Sequence, residues 1–205
     1  MGHRSDPDFH VLHVVRLRGR VATDAVGEAI GDEQRAEALL RDAADAGLVV
    51  HRDGRLAGWS LTPEGRASHA DRLRQDREAA GADVAVGAGY ARFLAVNAGF
   101  LALCTRWQVL PDGTPNDHAD GAYDEAVIDE LVHIDEAVQP VCADLAAALD
   151  RFESYGRRLA AALERVRAGD GQWFTSPAID SYHTVWFELH EDLLQTLGLE
   201  RGSDR

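Results

Sequence analysis

The segment from Ala46 to Arg66 restricts the fold more than any other part of the chain. It reads Ala46-Gly47-Leu48-Val49, then Val50 to Arg52, Asp53-Gly54, Gly58 to Leu61, and Thr62-Pro63-Glu64-Gly65-Arg66. A Val-rich stretch and a Trp59-containing stretch on either side of an Asp-Gly turn signal predict a β-hairpin. Thr62-Pro63-Glu64 then starts a helix. Its hydroxyl accepts from a free amide, its proline is already set at a helical φ, and its carboxylate sits near the positive end of the helix dipole. This helix is expected to reach Ala80.

Upstream, Phe9, Leu12, Val15 and Leu17 fall near one face of a helix over 9–17 that should stop at Gly19. Thr23 is expected to cap a short second helix ending at Ile30, with Gly31 closing it and Asp32 opening the next. A third helix over 33–46 presents Ala36, Leu39, Leu40 and Ala43 inward and exits at Gly47. Two helices joined by so short a turn form an angular pair.

In this order (helix, short helix, helix, hairpin, helix) the N-terminal part resembles the winged helix-turn-helix domain of MarR-like transcriptional regulators. The resemblance rests on Val21 to Ile30, Glu33 to Ala46, Ala46-Gly47-Leu48-Val49 and Leu61-Thr62-Pro63-Glu64-Gly65-Arg66, and covers about 75 of the 205 residues. It implies that the third helix enters the DNA major groove by its N-terminal residues while the hairpin wing reaches phosphate or the minor groove. Carried over, the groove-facing residues are Gln34, Arg35 and Arg41, and the wing residues are Arg52 and Arg55. Gln suits an adenine edge, and Arg suits a guanine edge or a phosphate. Asp32, Glu33 and Glu37 share the same helix start, where they favour the helix dipole and repel phosphate.

Charge bears on which part meets a polyanion. All 21 basic residues are arginine, a usage that points to a GC-rich bacterial genome, against 35 acids. Residues 1–81 hold 12 Arg and 14 Asp/Glu, close to neutral, while residues 82–205 hold 9 Arg and 21 Asp/Glu. DNA must therefore meet the first part.

Beyond Ala80, the small-residue stretch Gly81 to Gly89 reads as a joint. A helix over 90–109 follows, carrying Phe93, Leu94, Phe100 and Leu101, then a polar loop over 111–121. Residues 122–168 read as helical with a kink or break at Pro140, and Gly169-Asp170-Gly171 is a stop. A last helix over 180–197 carries Tyr182, Val185, Trp186, Leu189, Leu193 and Leu194. The expected architecture is mostly α: a winged helix-turn-helix with a small hairpin over 1–81, then an all-α domain over 82–205 for dimerisation and ligand sensing.

Chemistry-bearing patterns are sparse in the second part. Cys104 and Cys142 are flanked by apolar residues and form no CxxC pair, which suits buried free thiols in a reducing cytosol. Glu130-x-x-His133 and Asp180-x-x-His183 have a spacing that shares a helix face, but unpaired they are weak metal motifs, and Glu130 reads as solvated surface and His133 as a satisfied, partly buried histidine. No metal, cofactor or catalytic residue is expected. Trp107, Trp173, Tyr182 and Trp186 are the candidates for a small-molecule pocket, against the alternative of core or dimer interface. No signal peptide is recognised, and no uninterrupted apolar run approaches the ~20 residues of a membrane helix.

The expected function is therefore a cytoplasmic, homodimeric regulator that binds double-stranded DNA and responds to a small-molecule effector. The alternative is a winged-helix adaptor that binds protein rather than DNA.

Overall fold

In the computed structural model, which describes residues 2–54 and 57–199, the chain is mostly helical and carries one two-stranded antiparallel sheet. Helices α1 (Pro7–Arg18), α2 (Thr23–Ile30) and α3 (Glu33–Asp45) precede strands β1 (Val49–Arg52) and β2 (Gly58–Leu61). Then come α4 (Pro63–Ala80), α5 (Asp83–Gln108), α6 (Gly121–Ala148), a 3-10 turn (Asp150–Phe152), α7 (Glu153–Arg167), α8 (Gln172–Thr175) and α9 (Tyr182–Leu197). The chain forms two compact units. One takes the described residues of 1–84, 147–151 and 191–205, and the other takes 85–146 and 152–190.

The first unit closes over a core of Leu12, Val15, Val21, Val26, Ala36, Leu40, Val49 and Leu61. Helix α1 starts where the sequence allows it: Pro7 follows Asp6, whose carboxylate accepts from the amides of Asp8 and Phe9. Thr23 does not cap α2. It lies inside the helix, the cap position belongs to Ala22, and the Thr23 hydroxyl accepts instead from Trp59 Nε1 at 2.9 Å. Val21 and Trp59 exchange both backbone hydrogen bonds, so the segment entering α2 lines the free edge of β2.

Helix α3 leaves through Gly47 at φ +73°, with Leu48 N donating to Ala43 O and Gly47 N donating to Ala44 O. This pairing satisfies the last carbonyls of the helix and needs a residue that tolerates the left-handed region. Thr62 then ties the α4 start to this exit. Its hydroxyl donates to Gly47 O at 2.7 Å and accepts from Gly65 N at 2.9 Å, while Thr62 N donates to Leu48 O. Gly65 packs so closely that a Cβ there would stand 1.8 Å from Leu48 O. Gly65→Ala is accordingly expected to cost about 3 kcal/mol in urea denaturation, and a loss below half that would show that the backbone yields freely.

Polar side chains fill the other side of α1. Arg151 and Asp192, both fully buried, are bonded to each other, and Arg151 Nη2 donates to Thr196 Oγ1 at 2.7 Å. His13 Nε2 stands 3.0 Å from Asp192 Oδ1, and His13 Nδ1 stands 2.9 Å from His69 Nε2. Asp76 accepts from the Ser5 hydroxyl at 3.0 Å and from His3 Nε2 at 2.9 Å, with Arg151 Nε 3.6 Å away. His3 also bonds through its backbone to Ala148 O and Asp150 N, capping the α6 end. Burial, then the neighbouring His13, pushes the His69 pKa down to about 3. Burial, then His13 and Arg151, pushes that of His10 down to about 4. Asp192 is held far below the usual carboxylate range by Arg151 and His13, against the opposing effect of its burial.

In the second unit the regular elements among the described residues are helices, joined by loops. The expected joint at Gly81 to Gly89 is not a loop, because α5 begins at Asp83 and contains both Gly87 and Gly89. Gly89 serves packing: a Cβ there would meet Leu145 Cδ2 at 2.7 Å. By length and composition α5 is long and apolar enough to cross a membrane, which a count of uninterrupted apolar residues overlooks because Arg92 and Asn97 interrupt the run. Pro140 does not end its helix. It stands exposed inside α6, while Val138, Val141 and Cys142 beside it are buried, and the helix breaks instead at 149–152. Cys104 and Cys142 are free and buried, and burial pushes both thiols up to about 12.

Candidate functional site

The candidate surface is built on α3 and the hairpin. Gly27 sets the approach of α2 to α3, since a Cβ there would come within 2.6 Å of Glu33 Cα. The Asp32 carboxylate then accepts from Arg35 N at 3.0 Å and fixes the start of α3. With Ala36 and Leu40 buried, helical geometry turns Gln34, Ala38, Arg41 and Asp45 to the opposite, exposed face, with Arg35 beside them and exposed as well.

Of the residues predicted from sequence, Gln34, Arg35 and Arg41 thus lie on one exposed helix, and Arg52 is exposed at the end of β1. Arg55 lies outside the described residues. Arg41 is bonded to Glu37 one turn earlier, an exposed pair that contributes little to stability but occupies the guanidinium. Asp32, Glu33, Asp42 and Asp45 are also exposed around these cations. On the hairpin, His51 packs against Trp59 with ring centroids 4.8 Å apart, and Val50 is exposed beside it. The connection between the strands spans residues 53–57, in which Ala57 N donates to Gly54 O.

The four aromatic residues proposed for a pocket do not share one surface. Tyr182 and Trp186 are core residues. Trp186 stacks near Phe100 and Phe93, centroids 4.4 and 4.7 Å away, and donates from Nε1 to Asn97 Oδ1. Tyr182 donates its hydroxyl to Asp135, whose own pKa burial raises. Trp173 is half-buried beneath the Arg165 guanidinium. Trp107 lines a cleft. Aromatic content alone could not separate these positions, because rings fill cores and pockets alike.

The acid-x-x-His pairs are engaged in other contacts. Glu130 binds Arg106 through both carboxylate oxygens, and His133 Nδ1 donates to Asp129 O. Asp180 binds Arg158, which also grips Glu188. Among the described residues no group of three or more His, Cys, Asp or Glu is placed to hold a metal ion. The polar loop before α6, read from sequence only as a loop, carries an ordered imidazole at His118; its signal was the density of Asn, Asp and His in 116–118. Compared with known proteins, the chain matches no family model, no curated protein and no solved structure.

Proposed function

We propose that the chain is a cytoplasmic DNA-binding transcriptional regulator whose first unit is a winged helix-turn-helix, with α3 as the groove-reading helix and the β1/β2 hairpin as the wing. The observation that carries this reading is the exposed Gln34, Arg35 and Arg41 face of α3, set at a fixed angle to α2 and followed by a hairpin with exposed Arg52. Such a helix presents adenine-reading and guanine-reading groups together. The near-neutral charge of residues 1–81 makes specific contacts, rather than bulk attraction, the main source of affinity.

A homodimer doubles those contacts and matches a two-fold operator. The exposed face of α5 supports it. Val84, Ala88, Ala91, Ala95, Ala98, Ala102 and Thr105 are all exposed and recur at alternating four- and three-residue steps. Paired antiparallel about Ala95, two copies would place Ala88 against Ala102 and Ala91 against Gly99, a self-complementary set of small exposed residues. The second reading, a protein-binding adaptor, draws on the exposed acids of α3 and the Glu37 partner of Arg41.

Fluorescence anisotropy with duplex DNA from upstream of the protein's own gene tests the two readings. DNA binding should weaken steeply with salt. Arg35→Ala should cost about tenfold in affinity, and Arg52→Ala should weaken all sequences alike and lower the salt slope by about one. The protein–DNA complex should contain two chains by sedimentation. Unchanged affinity in both variants, or binding indifferent to salt, rules out this docking and leaves the adaptor.

A further inference from the structure

The loop over 109–120 holds His118 at φ +58°, the one non-glycine residue at positive φ among the described residues. That conformation is uncommon for a residue with a side chain. It is fixed from several sides. His118 N donates to Asn116 Oδ1 at 3.0 Å, and His118 Nδ1 donates to Asp124 Oδ2 at 2.9 Å. Asn116 Nδ2 in turn donates to Asp124 Oδ1 at 2.9 Å and to Trp107 O at 3.1 Å. The His118 ring lies against Trp107, centroids 4.5 Å apart, and Trp107 is backed by Phe174. With Nδ1 committed to a carboxylate, Nε2 is left as an acceptor in the neutral ring. Holding a surface imidazole this rigidly does nothing for a core, since its side chain is 42% exposed.

His118 and Trp107 line a cleft of about 540 Å³ together with Gln172 and Thr175. Sharing Trp107 and Asp124, it continues into a lobe of about 480 Å³ whose walls carry Glu125, Asp129 and Arg167. The Glu125 and Asp129 carboxylates have no protein partner among the described residues. With Asp124, three carboxylates against the Arg167 guanidinium leave the lobe with two excess negative charges, and Asp124 is the one already bonded to His118 and Asn116. The indole between the lobes adds an attraction for cations at its face. The other lobe offers an acceptor at His118 and neutral hydrogen-bonding groups at Gln172 and Thr175.

We propose that this cleft binds a short aliphatic amine bearing a second hydrogen-bond donor, a diamine or amino alcohol, with its ammonium between Glu125 and Asp129 and its far donor on His118 Nε2. The site lies within the second unit and stands independently of the DNA-binding reading. An anion is repelled by the unpaired carboxylates, and a diol lacks the charge that would bind them.

Calorimetric titration of the full chain with putrescine and ethanolamine, against 1,4-butanediol and succinate, tests the site. Both amines should release heat and lose affinity with salt, and the diol and dicarboxylate should do neither. A Glu125→Gln/Asp129→Asn double variant should weaken putrescine at least about tenfold, the loss expected when a charged hydrogen bond is removed. His118→Asn keeps a residue tolerant of the left-handed region and should weaken ethanolamine by a similar factor while leaving the thermal midpoint in place. If His118→Asn lowers the midpoint, the double variant decides alone. No heat with either amine at millimolar concentration, equal binding of succinate or the diol, or unchanged putrescine affinity in the double variant overturns the proposal.

Discussion

Replacing Arg151 by alanine is expected to destabilise the protein by about 3–5 kcal/mol, because it strands the buried Asp192 carboxylate without its counter-ion. The loss has several parts. Asp192 keeps His13 and the Thr196 hydroxyl but loses its counter-ion, Thr196 loses the donor that reaches its hydroxyl, and Asp76 loses the guanidinium 3.6 Å away. Removing both charges is a different matter. An Arg151→Met/Asp192→Leu double variant should recover most of the loss, since an apolar pair of similar volume avoids the desolvation of both ions. Equilibrium denaturation of Arg151→Met, Asp192→Leu and the double variant beside the parent forms a complete cycle. If Arg151→Ala costs less than about 1 kcal/mol, the network is solvated in solution and does not hold the unit together.

Acid should unfold the protein well above the range in which ordinary carboxylates titrate. In the unfolded chain His69 and His10 take up protons near 6.5, whereas in the native unit they resist protonation down to about 3 and about 4. The unfolded state therefore binds more protons below pH 6.5, and stability falls as pH falls. The histidine contribution is fully present above 6.5 and shrinks by about 1.4 kcal/mol per pH unit for each group until its native pKa is reached. Asp192 acts in the same sense at lower pH, because its depressed pKa stabilises the fold above the ordinary aspartate value and that stabilisation is lost below it. Between pH 6.5 and 4.5 the free energy of unfolding should drop by several kcal/mol. His69→Gln keeps a donor for His13 Nδ1 and removes one titration, so its slope against pH should be about half that of the parent. A parent whose stability is flat over this interval contradicts the burial of these rings.

What could be read in the sequence was what neighbours in sequence decide. The α4 start at Thr62-Pro63 and the α3 exit at Gly47 involve partners a few residues away or across one hairpin, and both stand where the residues predicted them. The failures share one cause. Thr23 was expected to cap its own helix and instead serves Trp59, thirty-six residues on. Gly89 reads as a joint until Leu145 is seen against it, and Pro140 reads as a break until its buried neighbours are seen to hold α6 together. His13, Asp76, Arg151 and Asp192 resemble solvated surface in the sequence, because nothing local says that a charge will be buried. For the candidate surface, the helical period placed Ala36 and Leu40 inside, while Gln34, Arg35 and Arg41 came from the resemblance and not from the period. For the aromatic set, the period could not distinguish the packed Tyr182 and Trp186 from Trp107 at its cleft.

The Arg151–Asp192 network also sets the order in which the molecule can be made. A ribosome releases α1 to α4 long before Arg151 and Asp192, so the nascent chain carries His13, His69 and Asp76 on helices whose polar partners have not been synthesised. The first unit reaches its final packing only when α9 has emerged, and until then its completion waits on the folding of everything encoded between. A fragment cut at the end of α4 is thus half of a closure, with its charged seam open to water.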